Sequence, residues 1–219
     1  MTYFTHAQLN KNRAGFEYAR NALIANAKKD AGHGLIWSLF ADDPEKSRDF
    51  IFRETCEGQF LIISQNPPQF DSNIWDIKSK PFAPNIQNGQ RFGFALRVNP
   101  TKAMKVEGSE KSKRIDVLMH AKKQKGGKLS PEEREEIGLD WLAQKLARDG
   151  AKLEKDYCQI MQYSQIKLPK KNESATISVI DVEGVIEVTD ANIFSKALLN
   201  GIGHGKAFGL GLLLLRPLS

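Results

Sequence analysis

Residues 191–217 read ANIFSKALLN-GIGHGKAFGL-GLLLLRP: a helix-forming stretch, five glycines within the eleven residues 201–211, and an apolar strand. Asp190 precedes the helix as an N-cap. The glycines let the backbone take positive φ repeatedly and lie close to another backbone. Successive amides in such a loop can turn toward an anion. Gly203, Gly205 and Lys206 are therefore candidates to hold a phosphate-bearing ligand, and His204 stands among them. Two phosphate motifs are excluded by spacing. A P-loop requires Gly six positions before its Lys and Ser or Thr after it, where Asn200 and Ala207 stand. A dinucleotide fingerprint requires a third glycine where Lys206, Phe208 or Leu214 stands, and it opens a helix, whereas this loop opens a strand. A plain helix-to-strand connection without a ligand is the other reading of the loop alone.

Before this stretch lie two strand patterns, 156–163 (DYCQIMQY) and 176–188 (TISVIDVEGVIEV). Before them, Ser130-Pro131-Glu132-Glu133 opens a helix, with Ser as N-cap, Pro at the first helical position and Glu at the third. Ile137, Trp141, Leu142 and Leu146 form its apolar stripe and Gly150 ends it. Residues 91–98 (RFGFALRV) alternate as a strand that Asn99-Pro100 stops. A final strand over 209–216 completes β-α-β-β-α-β. The first half gives the same order: a strand over 2–9, a helix from about Arg13 to Ala27, an apolar stretch over 35–40, strands at 49–54 and 59–64, a short helix over 73–77 and a strand over 78–82. The fold class is α+β, two tandem ferredoxin-like (RRM-like) units with antiparallel sheets. Residues 1–83 form the first unit, 84–90 the linker and 91–219 the second.

The 219 residues suffice for two small cores, and 41% hydrophobic with 26% charged residues fits a globular chain. Cys56 and Cys158 match no metal spacing and no disulfide framework, which fits a reducing cytoplasm. With four histidines and no His/Cys cluster, a transition-metal site is not expected. The longest apolar run, Leu212 to Leu215, is too short to span a membrane, and no apolar leader opens the chain. The net charge is +6, and residues 101–128 alone hold nine basic against three acidic residues. A basic connection beside an RRM-like sheet suits a nucleic-acid backbone, and a solvated loop is the bland alternative. Phe92 and Phe94 share a strand face but fit a core as well as a stacking platform, so recognition of backbone and shape suits the charge better than base stacking.

The pattern Gly201-Ile202-Gly203-x-x-Lys206-x-Phe208-Gly209-x-Gly211-Leu212-Leu213 before Pro217 resembles the glycine-rich signature of CRISPR-associated endoribonucleases. With it go His33 four residues before Trp37, Arg48-Asp49-Phe50 leading a strand, Arg97-Val98-Asn99-Pro100-x-Lys102, and Phe194 running through the helix to Gly203. Together they span nearly the whole chain and are similar to the CasE type, the repeat-processing subunit of the subtype I-E surveillance complex, Cascade. The resemblance implies two ferredoxin-like domains. It also implies binding of the CRISPR repeat stem-loop, metal-independent cleavage at its 3′ base, and retention of the mature crRNA with other Cascade subunits. No cofactor, nucleotide or membrane enters that scheme.

By the same resemblance the catalytic histidine falls on His33. Histidine titrates near neutrality and can serve as base or acid. Some relatives carry Tyr one helical turn earlier, where Asp30 stands here; Asp30 either orients His33 or is an exposed turn residue. Tyr18 or Tyr157 would have to supply a supporting hydroxyl from elsewhere, and His204 is the second-choice catalyst. Candidate RNA contacts are Arg97, Lys102, Lys111, Lys113, Arg114, Lys122 and Lys123, with Lys167, Lys170 and Lys171 as a second set on a hairpin and Lys206 with the loop glycines as a third. A non-catalytic RNA-binding scaffold of the same fold is the alternative that Asp30 keeps open.

Overall fold

The computed structural model describes residues 1–15, 17–18, 21, 35–40, 48–105, 112–168 and 175–218. It is an α+β protein with antiparallel sheets. The first sheet holds β1 (Tyr3–Leu9), β2 (Phe50–Cys56), β3 (Gln59–Ser64) and β4 (Trp75–Pro81) in the order β2-β3-β1-β4, every neighbour antiparallel. One face carries Ala7, Phe52, Phe60, Ile62 and Trp75, which pack with Leu35, Ile36, Leu39 and Phe40 from the helical turn after residue 34. The described residues among 13–21 are helical, as the periodicity there predicts. The short helix expected over 73–77 is not formed. Asp71 O accepts from Ile74 N and Trp75 N in a tight turn, and the strand starts at Trp75, two residues before the predicted helix would have ended. Trp75 and Ile77 alternate toward the core, a period of two that overrides the local helical reading.

The second sheet holds β5 (Arg91–Val98), β8 (Ala151–Leu153), β9 (Gln159–Leu168), β10 (Ala175–Val188) and β11 (Leu213–Pro217). Its order is β11-β5-β10-β8, with β9 also on β10, so β8 and β9 form one interrupted strand along the same edge. The interruption is a 3-10 turn at Lys155–Tyr157, which overlaps the start of the strand predicted over 156–163 and delays it to Gln159. Helices α2 (Pro131–Arg148) and α3 (Ala191–Asn200) cover this sheet. The capping box at Ser130 and Glu133 is formed as the sequence predicts. The buried positions of α2 are Gly138, Leu139, Leu142 and Leu146, with Ile137 and Trp141 at the flank of the core.

Residues 101–128, expected as a connection, fold in their described parts: β6 (Thr101–Lys105) and β7 (Ser112–Asp116) pair as an antiparallel hairpin, and α1 (Val117–Gln124) follows. Asp116 caps α1 through the amides of Leu118 and Met119, and Trp141 Nε1 donates to Thr101 O at 3.0 Å, which fastens the hairpin to α2.

The two sheets meet. Ile51 and Ile63 of the first pack with Leu212, and Phe4, Phe82, Leu199 and Leu214 close around them. Beside this apolar contact, Asp181 on β10 accepts from Arg97 Nε at 2.9 Å and from Arg53 Nη2 at 3.3 Å. Arg53 comes from the first sheet, so a buried carboxylate joins the halves.

Candidate nucleic-acid interface

The glycine loop runs between α3 and β11 across this junction. Gly201, Gly203, Gly205, Gly209 and Gly211 all have φ between 74° and 89°. At Gly211 a Cβ would stand 2.5 Å from Ile202 O, and at Gly203 2.9 Å from Val98 Cγ2, so these two positions have no room for a side chain. Ile202 N donates to Gly211 O and Gly211 N to Arg97 O, tying both ends of the loop. These two amides are therefore used within the fold. The loop also carries two basic side chains: His204, bridged to Asn99, and Lys206 in a 3-10 turn over 206–208 that delays the last strand from 209 to 213.

Each of these residues lines its own groove. His204 and Gly203 border a groove of about 590 Å³ with Lys102, Arg114, Trp141 and Arg148. Lys206 borders one of about 750 Å³ with Arg48, Asn66, Lys196 and the N-terminal residues Met1 and Thr2. Burial lowers the proton affinity of the Lys206 ammonium, and cationic Arg48 and Lys145 lower it further. Arg48 is itself lowered by burial. His204 is held below its ordinary value by partial desolvation and then by Arg114, Lys206 and Lys145. Lys145 is paired with Asp149, and Lys206, Arg48 and Arg114 add further positive charge around the loop, a field that favours an anion.

The remaining sequence-predicted residues divide. Lys102, Lys113 and Arg114 stand on the β6–β7 hairpin and Lys122 and Lys123 on α1, all exposed. Arg97 makes a bidentate bond to Asp181 at 2.9 to 3.2 Å and is occupied in the joint between the halves. Tyr18 packs into the first core, and Tyr157 projects to solvent beside the Arg91–Glu154 ion pair. Neither tyrosine borders the two grooves. His33, Asp30, Lys111, Lys170 and Lys171 lie outside the described residues, and Lys167 is described only as part of β9. Lys145, Arg148 and Lys196 escape a reading of the sequence because no motif marks them, and their helical positions bring them to the grooves; Arg48 is marked by the Arg48-Asp49-Phe50 motif but not as a partner of the loop.

Residues 2–217 match a family described as CRISPR associated protein, which sets the class. The chain is 32% identical over 191 residues to the CRISPR system Cascade subunit CasE of Escherichia coli, covering 85% of this chain and 90% of that protein. It is 31% identical over 207 residues to the CRISPR-associated endoribonuclease Cse3 of Thermus thermophilus, covering 89% and 85%. A structure of Thermus thermophilus Cse3 bound to an RNA representing a pre-cleavage complex superposes with a TM-score of 0.70 at 26% identity, over 99% of both chains. The chain belongs to the CasE/Cse3 family of CRISPR-associated endoribonucleases, the type I-E Cascade subunit.

Proposed function

We propose that this chain binds the stem-loop of a CRISPR repeat transcript and cuts it at the 3′ base of the hairpin without a metal. The observation that carries the reading is Lys206: a partly buried ammonium on the glycine loop, electrostatically strained by Arg48 and Lys145, beside a groove wide enough for a phosphodiester. In this scheme the ribose 2′-oxygen attacks the adjacent phosphorus and the bond to the 5′-oxygen breaks. A base takes the 2′-hydroxyl proton and an acid gives one to the leaving oxygen, yielding a 2′,3′-cyclic phosphate and a 5′-hydroxyl. His33 performs one of these transfers, and Lys206 with Arg48 steadies the charge that grows on the phosphorane. The exposed cations of β6 and β7, with Lys123 of α1, hold the stem backbone. The cut crRNA stays bound, and the protein enters Cascade with it.

The strand orders support reading the halves as two ferredoxin-like units, 1–83 and 91–219, joined by 84–90. Each order places the first and third strands of its unit at the centre and the second and fourth at the edges. The linker is fastened rather than free: Gly89 N donates to Val188 O, and Asn88 Oδ1 accepts from Ala191 N.

The test is cleavage of the cognate repeat hairpin in EDTA by wild type and His33→Ala, with a parallel RNA carrying a 2′-deoxy sugar at the cut. Wild type is expected to cut, and both changes to stop the cut while binding persists. Tight binding with no cut by wild type would instead establish a scaffold, and full-rate cleavage by His33→Ala would move the assignment to His204.

A further inference from the structure

Helix α2 is electrostatically two-sided. Glu132, Glu135 and Glu136 border one groove with Lys155 and Cys158, whereas Arg134, Lys145 and Arg148 border cavities on the other side. Positions 134, 141, 145 and 148 repeat at helical spacing, so they form one stripe. From Arg148, in the His204 groove, the stripe runs about 21 Å to Arg134.

At the Arg134 end lies a separate pocket of about 240 Å³, lined by Leu118, Lys122, Gly127, Lys128, Leu129, Arg134 and Tyr163. Four of these features define its chemistry. The Arg134 guanidinium lies 5.0 Å from the centroid of the Tyr163 ring, a planar cation laid over an aromatic face. Tyr163 is held in place, its hydroxyl 3.2 Å from Ser178 Oγ. Lys122, Lys128 and Arg134 make no ion pair among the described residues, whereas neighbouring Lys125 is neutralised by Glu133. Leu118 and Leu129 supply apolar wall. Three cations without an ion pair among the described residues, a cation over an aromatic ring and an apolar wall match a phosphate, a base and a sugar; the volume admits one nucleotide and no duplex.

We propose that this pocket holds one unpaired nucleotide of the same RNA, its base stacked on Arg134 and Tyr163 and its phosphate between Lys122 and Lys128. The proposal rests on the RNA-processing reading above. The nucleotide comes from the terminal loop or from a single-stranded flank; both present the same chemistry at the end of the α2 stripe.

The experiment compares wild type, Arg134→Ala, Arg134→Lys and the doubly substituted Lys122→Gln/Lys128→Gln protein, whose changed side chains are exposed and leave the core intact. Affinity is measured by fluorescence anisotropy on three RNAs: the full repeat, the repeat with an abasic terminal loop, and the hairpin trimmed of both flanks. Arg134→Ala should weaken binding of the full repeat about tenfold, the worth of one stacked base. Arg134→Lys should recover little of that, because it restores charge without the plane. On the RNA that lacks the occupant nucleotide, wild type itself should weaken and the Arg134→Ala penalty should fall below about twofold, which identifies the source. An equal penalty on all three RNAs would mean a stem-phosphate contact and overturn the proposal, as would no penalty at all for Arg134→Ala and the lysine pair. Failure of wild type to bind any of the three would overturn the RNA-processing reading itself, a result separable from loss of the Arg134 effect alone.

Discussion

The two grooves beside the glycine loop differ in parentage. The His204 groove draws all its residues from 101–148 and 203–204, that is, from the second half alone. The Lys206 groove combines residues 1–2 and 48–66 with 196–206, so it exists only where the halves meet. A groove built within one half keeps its shape whatever the other half does, which suits a grip. A groove at a junction brings together groups that neither half owns, which suits chemistry needing acid, base and cation at one phosphate. The separation predicts that substitutions sort into those that change rate and those that change affinity.

The sharpest break is expected at Lys206. Lys206→Met should lower single-turnover cleavage at saturating RNA by roughly two to three orders of magnitude, the usual loss for one electrostatic contact to a transition state. The melting temperature of the free protein should hold or rise, because burial, Arg48 and Lys145 all disfavour the ammonium. A fall in melting temperature with unchanged cleavage would make Lys206 a structural residue.

The joint comes next. Arg53 and Asp181 have side chains only 14% and 12% exposed, and Arg97 shares the same carboxylate. Asp181→Asn leaves two guanidinium groups facing an amide and should cost on the order of 2 kcal/mol in denaturant unfolding, below the usual loss for a buried pair because Arg97 is partly hydrated. Cleavage should suffer more than hairpin affinity, since the junction groove loses alignment and the one-half groove does not. Equal losses in both would erase the distinction between the grooves.

A smaller effect is expected on the grip. Lys102→Ala combined with Arg114→Ala should weaken hairpin binding about tenfold at moderate salt and flatten the salt dependence by about two units, one per phosphate contact, with little change in rate at saturation. An unaltered salt slope would show that these cations meet no phosphate.

What the sequence reveals of this arrangement follows the range of the interactions. The Ser130 capping box, the 91–98 alternation and the glycine loop are set by neighbours within a few residues, and the structure forms each of them. The β6–β7 hairpin reads as a connection because TKAMK and SKRID carry no continuous apolar face; its pairing is anchored by Trp141, forty positions away from Thr101. Arg97 reads as a free cation because its partner, Asp181, is 84 positions distant. Of the site, Lys206 and His204 are legible from the loop and Arg48 from the Arg48-Asp49-Phe50 motif, whereas Lys145 and the approach of Arg48 to Lys206 enter only through packing.

The finest test of the grip is its pH dependence at His204. In the free protein the ring is kept neutral by partial desolvation and by Arg114, Lys206 and Lys145, so its pKa lies below the ordinary 6.5. An unfolded chain takes up the proton first, so His204 opposes folding as pH falls from about 6.5 through its lowered pKa and is neutral in its effect above. A phosphate arriving in the groove reverses the local field and favours the imidazolium, so binding takes up a proton within that window. Hairpin affinity should therefore rise as pH drops from about 7.5 toward about 5.5, with a slope of at most about one proton. His204→Gln, which keeps a polar side chain without the titration, should flatten the slope while leaving affinity at about pH 7.5 within about twofold, since the neutral ring contributes no charge there. A slope that survives His204→Gln would overturn the assignment of the proton uptake to His204.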